Sequence, residues 1–115
     1  MVKRIVANIK AENLSEGDHF YHGILGLETL MDHGWIKTFG NHEEAKVQVS
    51  FATEGGSGTE VPLLSIEVDN VDELYREVQK EGFEIIYGIT DEEWGVRRFF
   101  VKDPFGNVVN ILSHQ

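Results

Sequence analysis

The nine residues Phe99-Phe100-Val101-Lys102-Asp103-Pro104-Phe105-Gly106-Asn107 read as a strand, a tight turn and the approach to another strand. Pro104 pre-sets the φ of a turn residue, and Gly106 accepts a positive φ that other residues resist. Beyond the turn the pattern alternates, with Val109 and Ile111 on one face and Val108, Asn110 and Leu112 on the other. Before it, Val96–Val101 and Phe83–Tyr87 each have strand character. Further upstream, Val71, Leu74, Tyr75 and Val78 fall at i, i+3, i+4 and i+7, the apolar stripe of a helix. Asn70 and Glu73 suit a capping box, and Gly82 suits the left-handed residue after the helix. The helix follows a strand with Leu64, Ile66 and Val68 on one face and Leu63, Ser65 and Glu67 on the other. This half of the chain therefore reads strand–helix–strand–strand–strand.

The first half repeats that order. A strand sets Ile5, Ala7 and Ile9 against Val6, Asn8 and Lys10. A helix follows, with Ser15 as cap, Phe20, Tyr21, Ile24 and Leu25 as apolar face and Gly26 at its end; Gly17 weakens the first turn. Strands are expected near Leu27–Met31 and Trp35–Phe39, and a last one sets Val47, Val49 and Phe51 against Gln48 and Ser50. Gly26-Leu27-Glu28-Thr29-Leu30 corresponds to Gly82-Phe83-Glu84-Ile85-Ile86, each directly after a helix, and Asn13-Leu14 corresponds to Asn70-Val71. The shared order marks an internal repeat. Repeat one covers about 1–54 and repeat two about 62–115, joined by the glycine-rich Glu54–Pro62 connector. Halves this small are expected to pack as one domain over 1–115.

Composition removes several function classes. The chain has no cysteine, which excludes disulfides, thiolate metal sites and cysteine nucleophiles. No apolar run reaches signal or membrane length, so a cytoplasmic protein without a membrane partner is expected. The formal net charge of -10 repels nucleic-acid phosphate, and apart from Arg97 and Arg98 no basic cluster opposes it. The same field is compatible with a cationic ligand.

The Phe20-Tyr21…Leu25-Gly26-Leu27 segment and the Phe99–Asn107 run, set in this repeat, resemble the vicinal-oxygen-chelate superfamily. That group includes glyoxalase I, bleomycin-resistance proteins, fosfomycin-resistance enzymes and extradiol dioxygenases. The resemblance spans essentially the whole chain. It implies an α+β fold of two βαβββ repeats, forming U-shaped mixed sheets with helices outside and a ligand in the cup. It also implies four metal-ligand corners, on the first and fourth strands of each half. Here those corners fall at Val6 (with Asn8 one step along the same face), near Gln48 or Ser50, at Leu63 and at Asn110. None is an imidazole or a carboxylate, and a divalent ion needs strongly donating ligands to offset its dehydration. His19 and His22 share a helix face without a third ligand, His33 and His42 lie near loops, and His114 is the penultimate residue. No cofactor is expected; a divalent metal bound through unrecognised ligands is the alternative.

The residues expected to contact a ligand are Asn8, Gln48, Ser50, Leu63, Ser65, Trp94, Arg97 and Asn110. The polar members would line the cup among Val6, Leu63, Val108 and Leu112, a mixture typical of small-molecule sites. Trp94, in the loop-like Asp91-Glu92-Glu93-Trp94-Gly95, offers a flat surface at the rim, as could Trp35, Tyr87, Phe99 and Phe100. Arg97 could clamp a ligand carboxylate or pair with Glu92 or Glu93, and only one of Arg97 and Arg98 can face the cup. Glu67 shares the cup-facing parity and would need a raised pKa to serve as a base. No nucleophile–base pair emerges. The expected function is metal-independent binding of a small aromatic or cationic molecule, similar to bleomycin-resistance proteins. The alternative is a superfamily enzyme, an isomerase, lyase or dioxygenase, acting on a small oxygenated substrate. Association as a homodimer is expected from the same resemblance.

Overall fold

A computed structural model of the chain describes residues 1–41 and 48–115. His42 and Val47, both placed in the sequence reading, lie outside the described residues. Two compact units are present, one formed by Val6–Val61 and the other by Met1–Ile5 with Pro62–Gln115. The strand β1 (Val2–Lys10) contributes its leading half to the second unit and the remainder to the first.

The C-terminal unit contains β5 (Leu64–Val68), α1 (Val71–Lys80), β6 (Ile85–Asp91), β7 (Val96–Lys102) and β8 (Val108–His114). Its strand order is β1-β5-β8-β7-β6, with β5 and β8 parallel and the β8–β7 and β7–β6 pairs antiparallel. The helical stripe read from the sequence becomes the contact surface. Val71 and its partners Leu74, Tyr75 and Val78 pack on Val68, Phe99, Val101 and Val109. Phe99 is 0% exposed, and the Tyr75 ring lies 4.9 Å from its centroid. Each such side chain contributes about 1.5–3 kcal/mol of transfer free energy on burial, which fixes this sheet face as the helix side.

The ends of α1 differ partly from expectation. Gly82 has φ +85°, as the left-handed position demands. At the other end the capping box does not bond the backbone; Asn70 Nδ2 instead donates to Glu73 Oε2 at 3.3 Å. In the β7–β8 turn, Gly106 has φ +85°. Asp103 Oδ1 accepts from the backbone N–H of Phe105 at 2.9 Å and of Asn107 at 2.8 Å. The Asn107 amide is the main reason the Asp103 carboxyl is held below its ordinary range. A depressed carboxyl contributes stability above the unfolded pKa, and that contribution is lost as pH falls through the folded one. Wild type is therefore expected to lose thermal stability on acidification more steeply than Asp103→Asn, measured as Tm against pH. Parallel curves would contradict this role for the turn.

The N-terminal unit contains β2 (Glu28–Asp32), β3 (Ile36–Gly40) and β4 (Gln48–Ala52). Its order is β2-β3-β4-β1, with β1 and β4 parallel, so it repeats the pairing of β5 with β8. The amphipathic helix expected here is replaced by a 3-10 turn at Leu14–Glu16 and a π-helical segment at Asp18–Ile24. Leu25 N–H reaches Phe20 O at 3.0 Å, the i→i−5 bond of a widened turn. Gly17, in the junction between the two segments, and Gly23, inside the second, lower helix propensity where a regular helix would have to propagate. Asn13, not Ser15, caps the first segment, its Oδ1 accepting from Ser15 N–H at 3.2 Å. Of the expected apolar face only Tyr21 packs inward, with its ring 5.6 Å from Phe39 and 4.8 Å from Phe51. Phe20, Ile24 and Leu25 are exposed.

Candidate functional site

Strand register decides which side chains share a face with no helix on it. In the C-terminal unit Asn110 is opposite both Ser65 and Phe100, and Leu112 is opposite both Glu67 and Arg98. By alternation these residues face away from Phe99, Val101 and Val109, hence away from α1. In the N-terminal unit Ser50 is opposite both Asn8 and Thr38, on the face away from Phe39 and Phe51. Asn8, Thr38, Ser50, Arg98 and Asn110 are the buried polar residues among those described, and all five lie on these helix-free faces. The two repeats also mirror one another. Asn8 on β1 is opposite Ser50 on β4, while Ser65 on β5 is opposite Asn110 on β8.

The hydrogen bonding of the two rows differs. Ser50 Oγ and Thr38 Oγ1 are 2.7 Å apart, so that pair is satisfied within the N-terminal unit. Gln48, two residues from Ser50, is half-buried. Asn110 is 6% exposed; its Nδ2 donates to Ser65 Oγ at 3.0 Å, and its buried Oδ1 has no partner among the described residues. Such an orphaned acceptor costs about 1–3 kcal/mol.

Beside this row lies a buried ion pair that the sequence reading missed. Glu92 Oε2 accepts from Arg98 Nε at 2.7 Å and from Nη2 at 2.6 Å, with both side chains 4% exposed. Tyr87 O–H donates to the same carboxylate at 3.2 Å. The Arg98 guanidinium carbon is 4.8 Å from the Phe100 ring, 4.9 Å from Trp94 and 5.3 Å from Tyr87. Trp94 is thus half-buried against Arg98 and does not stand free at a rim. The available signal was parity: Arg98, Phe100 and Lys102 alternate with Arg97, Phe99 and Val101.

Arg97 must be corrected for the same reason. It lies on the helix side, with Nη2 2.8 Å from Asp72 Oδ1 on α1 and Nη1 3.1 Å from Asp91 Oδ1. These contacts raise its pKa, the Asp72 hydrogen bond most of all. Leu63 precedes β5 and is 49% exposed, its N–H bonded to Val108 O at 2.8 Å. Glu67 does not have the raised pKa a buried base would need. Burial pushes its carboxyl up, but the His114 hydrogen bond and the charges of Arg4, His114 and Lys3 outweigh this and hold it low.

The corner positions do not fit a divalent metal. Val6 and Leu63 supply no donor atom, Ser50 is committed to Thr38, and Asn110 offers one neutral oxygen. Among the described residues no three of His, Cys, Asp and Glu gather as a ligand set. Elsewhere, an open cleft of about 390 Å³ in the N-terminal unit is lined by Glu12, Asn13, Asp32, Lys37 and Thr53 among others. Two of its polar groups are engaged internally: Lys37 bonds Asp18 at 2.7 Å and Asp32 accepts from Gly34 N–H at 2.9 Å.

The profile of the Glyoxalase/Bleomycin resistance protein/Dioxygenase superfamily matches residues 8–111. A search of curated proteins gives no match. Among solved structures, one described as NAD-dependent benzaldehyde dehydrogenase from Legionella pneumophila is similar at TM-score 0.73 and 18% identity, covering 96% of this chain and 99% of that one. A glyoxalase/bleomycin resistance protein/dioxygenase superfamily member from Vibrio splendidus 12B01 is similar at TM-score 0.66 and 15% identity, covering 98% and 99%. Methylmalonyl-CoA epimerase from Mycobacterium tuberculosis is similar at TM-score 0.67 and 14% identity, covering 99% and 87%. At these identities the likeness concerns the fold.

Proposed function

Because the chain belongs to the glyoxalase/bleomycin resistance protein/dioxygenase superfamily, we propose that it works as one of its metal-independent binding proteins, taking up a small aromatic or cationic molecule. The observation that carries this reading is Asn110. At one of the superfamily's metal corners this chain holds a neutral amide that is buried, anchored by Ser65 and left with an unused acceptor. A protein folded for stability alone would lose little, or gain, by replacing Asn110 and Ser65 together with apolar side chains of similar shape. A ligand N–H or O–H reaching Oδ1 gives the residue a purpose, and reaching it requires a small displacement of the surrounding side chains. The net charge of -10 favours a cationic ligand. Ser65 is the proposed second contact; in the other unit Asn8, Gln48 and Ser50 are proposed contacts.

Native mass spectrometry on protein purified from its own host tests this directly. Wild type is expected to retain a small molecule that Asn110→Ala retains at least tenfold less. Calorimetric titration with Mn²⁺, Ni²⁺ and Zn²⁺ is expected to show no stoichiometric sub-micromolar site; such a site, lost with Asn110→Ala, would overturn the metal-independent reading. We also propose a cytoplasmic homodimer. Ile9, Phe20 and Ile24 are exposed apolar side chains of one unit, and apolar surface of this kind favours association. A monomeric mass in sedimentation equilibrium would refute it.

A further inference from the structure

Glu67 is placed on the strand between its two hydrogen-bonding neighbours, in the local order β1-β5-β8. Its carboxylate reaches both. Oε1 lies 2.7 Å from Arg4 Nε on β1, and Oε2 accepts from His114 Nδ1 on β8 at 2.8 Å. Glu67 is only 16% exposed at the side chain, against 35% for Arg4 and 49% for His114, so the shared acceptor is the sheltered member. The backbone ladder holds adjacent strands pairwise; this carboxylate joins three strands through one group.

We propose that Glu67 is a charge-dependent clasp across β1, β5 and β8, which fixes the leading half of β1 and the end of β8 together and sets how readily the Ser65–Asn110 row opens. The last part rests on the ligand reading above. The row lies close by, with Ser65 two residues before Glu67 on β5 and Asn110 two residues before Leu112, the residue opposite Glu67. A clasp of this kind depends on the negative charge of its common acceptor. The charges acting on Glu67 are those of Arg4 and Lys3 on β1 and His114 on β8, while Asp69, two residues along the chain, pairs with the Met1 ammonium at 2.7 Å. Protonating Glu67 removes the common acceptor for both partners. The Glu67 carboxyl is held low, so the clasp is present above the ordinary carboxylate range and is lost as pH falls through the depressed value.

Backbone amide exchange in the intact protein tests the clasp without any ligand. Glu67→Gln is expected to speed exchange about tenfold at residues 2–5 and 112–114 together, with the amides of α1 unchanged. A tenfold change corresponds to about 1.4 kcal/mol. Arg4→Gln is expected to release mainly the β1 segment, and His114→Gln mainly the β8 segment. With the intrinsic pH dependence of exchange divided out, acidification is expected to lower the protection of both segments in wild type and to have much less effect in Glu67→Gln. In Glu67→Gln, release of one segment alone, no release, or equal acceleration in α1 would each overturn the clasp, the last because the whole unit would then be opening. The ligand reading is judged separately, by retention in Asn110→Ala, so either idea can fail without the other.

Discussion

Glu92→Ala is expected to lower the unfolding free energy by about 3–5 kcal/mol, because it leaves the Arg98 guanidinium buried without its counter-charge. Three observations set the size. Both side chains are 4% exposed, so neither charge is relieved by solvent. The carboxylate takes two N–H donors from Arg98 and the Tyr87 hydroxyl as well, and all lose their acceptor at once. The aromatic surfaces of Phe100, Trp94 and Tyr87 around the guanidinium attract a cation but cannot replace a carboxylate, since such contacts contribute about 0.5–2 kcal/mol. Against a typical total of about 5–15 kcal/mol, the loss takes a large part of the stability. Urea unfolding followed by fluorescence reads it as a lower midpoint at unchanged slope. The double replacement Glu92→Leu with Arg98→Met is expected to recover most of the loss, because it removes the desolvation cost together with the attraction. A double variant as unstable as Glu92→Ala would show that the aromatic packing, and not the unpaired charge, dominates.

Why this pair escaped the sequence reading, while the repeat did not, follows from what each depends on. The repeat is written in local periodicities. Val71, Leu74, Tyr75 and Val78 mark α1, the alternation of β8 sets Asn110 opposite in direction to Val109, and Gly82 and Gly106 occupy their positive-φ positions. Parity names Ser65, and the family resemblance together with parity names Asn110, but their contact depends on register between strands 45 residues apart. The choice between Arg97 and Arg98 depends on phase along one strand. Neighbouring Phe99 and Phe100 look alike in sequence, yet one packs under α1 and the other joins Arg98 on the opposite face. The first helix failed for a different reason. Tyr21 has the spacing of a helical core residue, but Gly17 and Gly23 let the backbone widen into a π-helical segment that turns Phe20 and Ile24 outward. Periodicity could not register that change, because it assumes a constant number of residues per turn.

Phe99→Ala carries the other large expected effect, again about 3–5 kcal/mol, through the cavity left by a buried aromatic ring. Phe99 is 0% exposed and lies among Val68, Val71, Val101 and Val109, with Tyr75 above it. These neighbours belong to two strands besides its own and to α1, so no single one can move in without disturbing the others. Phe39→Ala removes an equally buried ring from the N-terminal unit, where Tyr21 and Phe51 are the aromatic neighbours. The Tyr21 segment is short and carries exposed apolar residues already, so it can collapse further onto the space, and the cost is expected to fall below that of Phe99→Ala. Each unit carries one reporter, Trp94 in one and Trp35 in the other. In Trp35→Phe the Trp94 signal therefore follows the C-terminal unit, and in Trp94→Phe the Trp35 signal follows the N-terminal one. If both signals shift together in Phe99→Ala, the two repeats unfold as one cooperative body, as expected of halves too small to bury a core alone. If Phe99→Ala moves only the Trp94 transition, the repeats are separate folding units, and the chain's stability is set by the weaker one. A Phe39→Ala loss exceeding that of Phe99→Ala would show that the π-helical segment is rigidly packed despite its exposed residues, and that its widened turn is a fixed part of the fold.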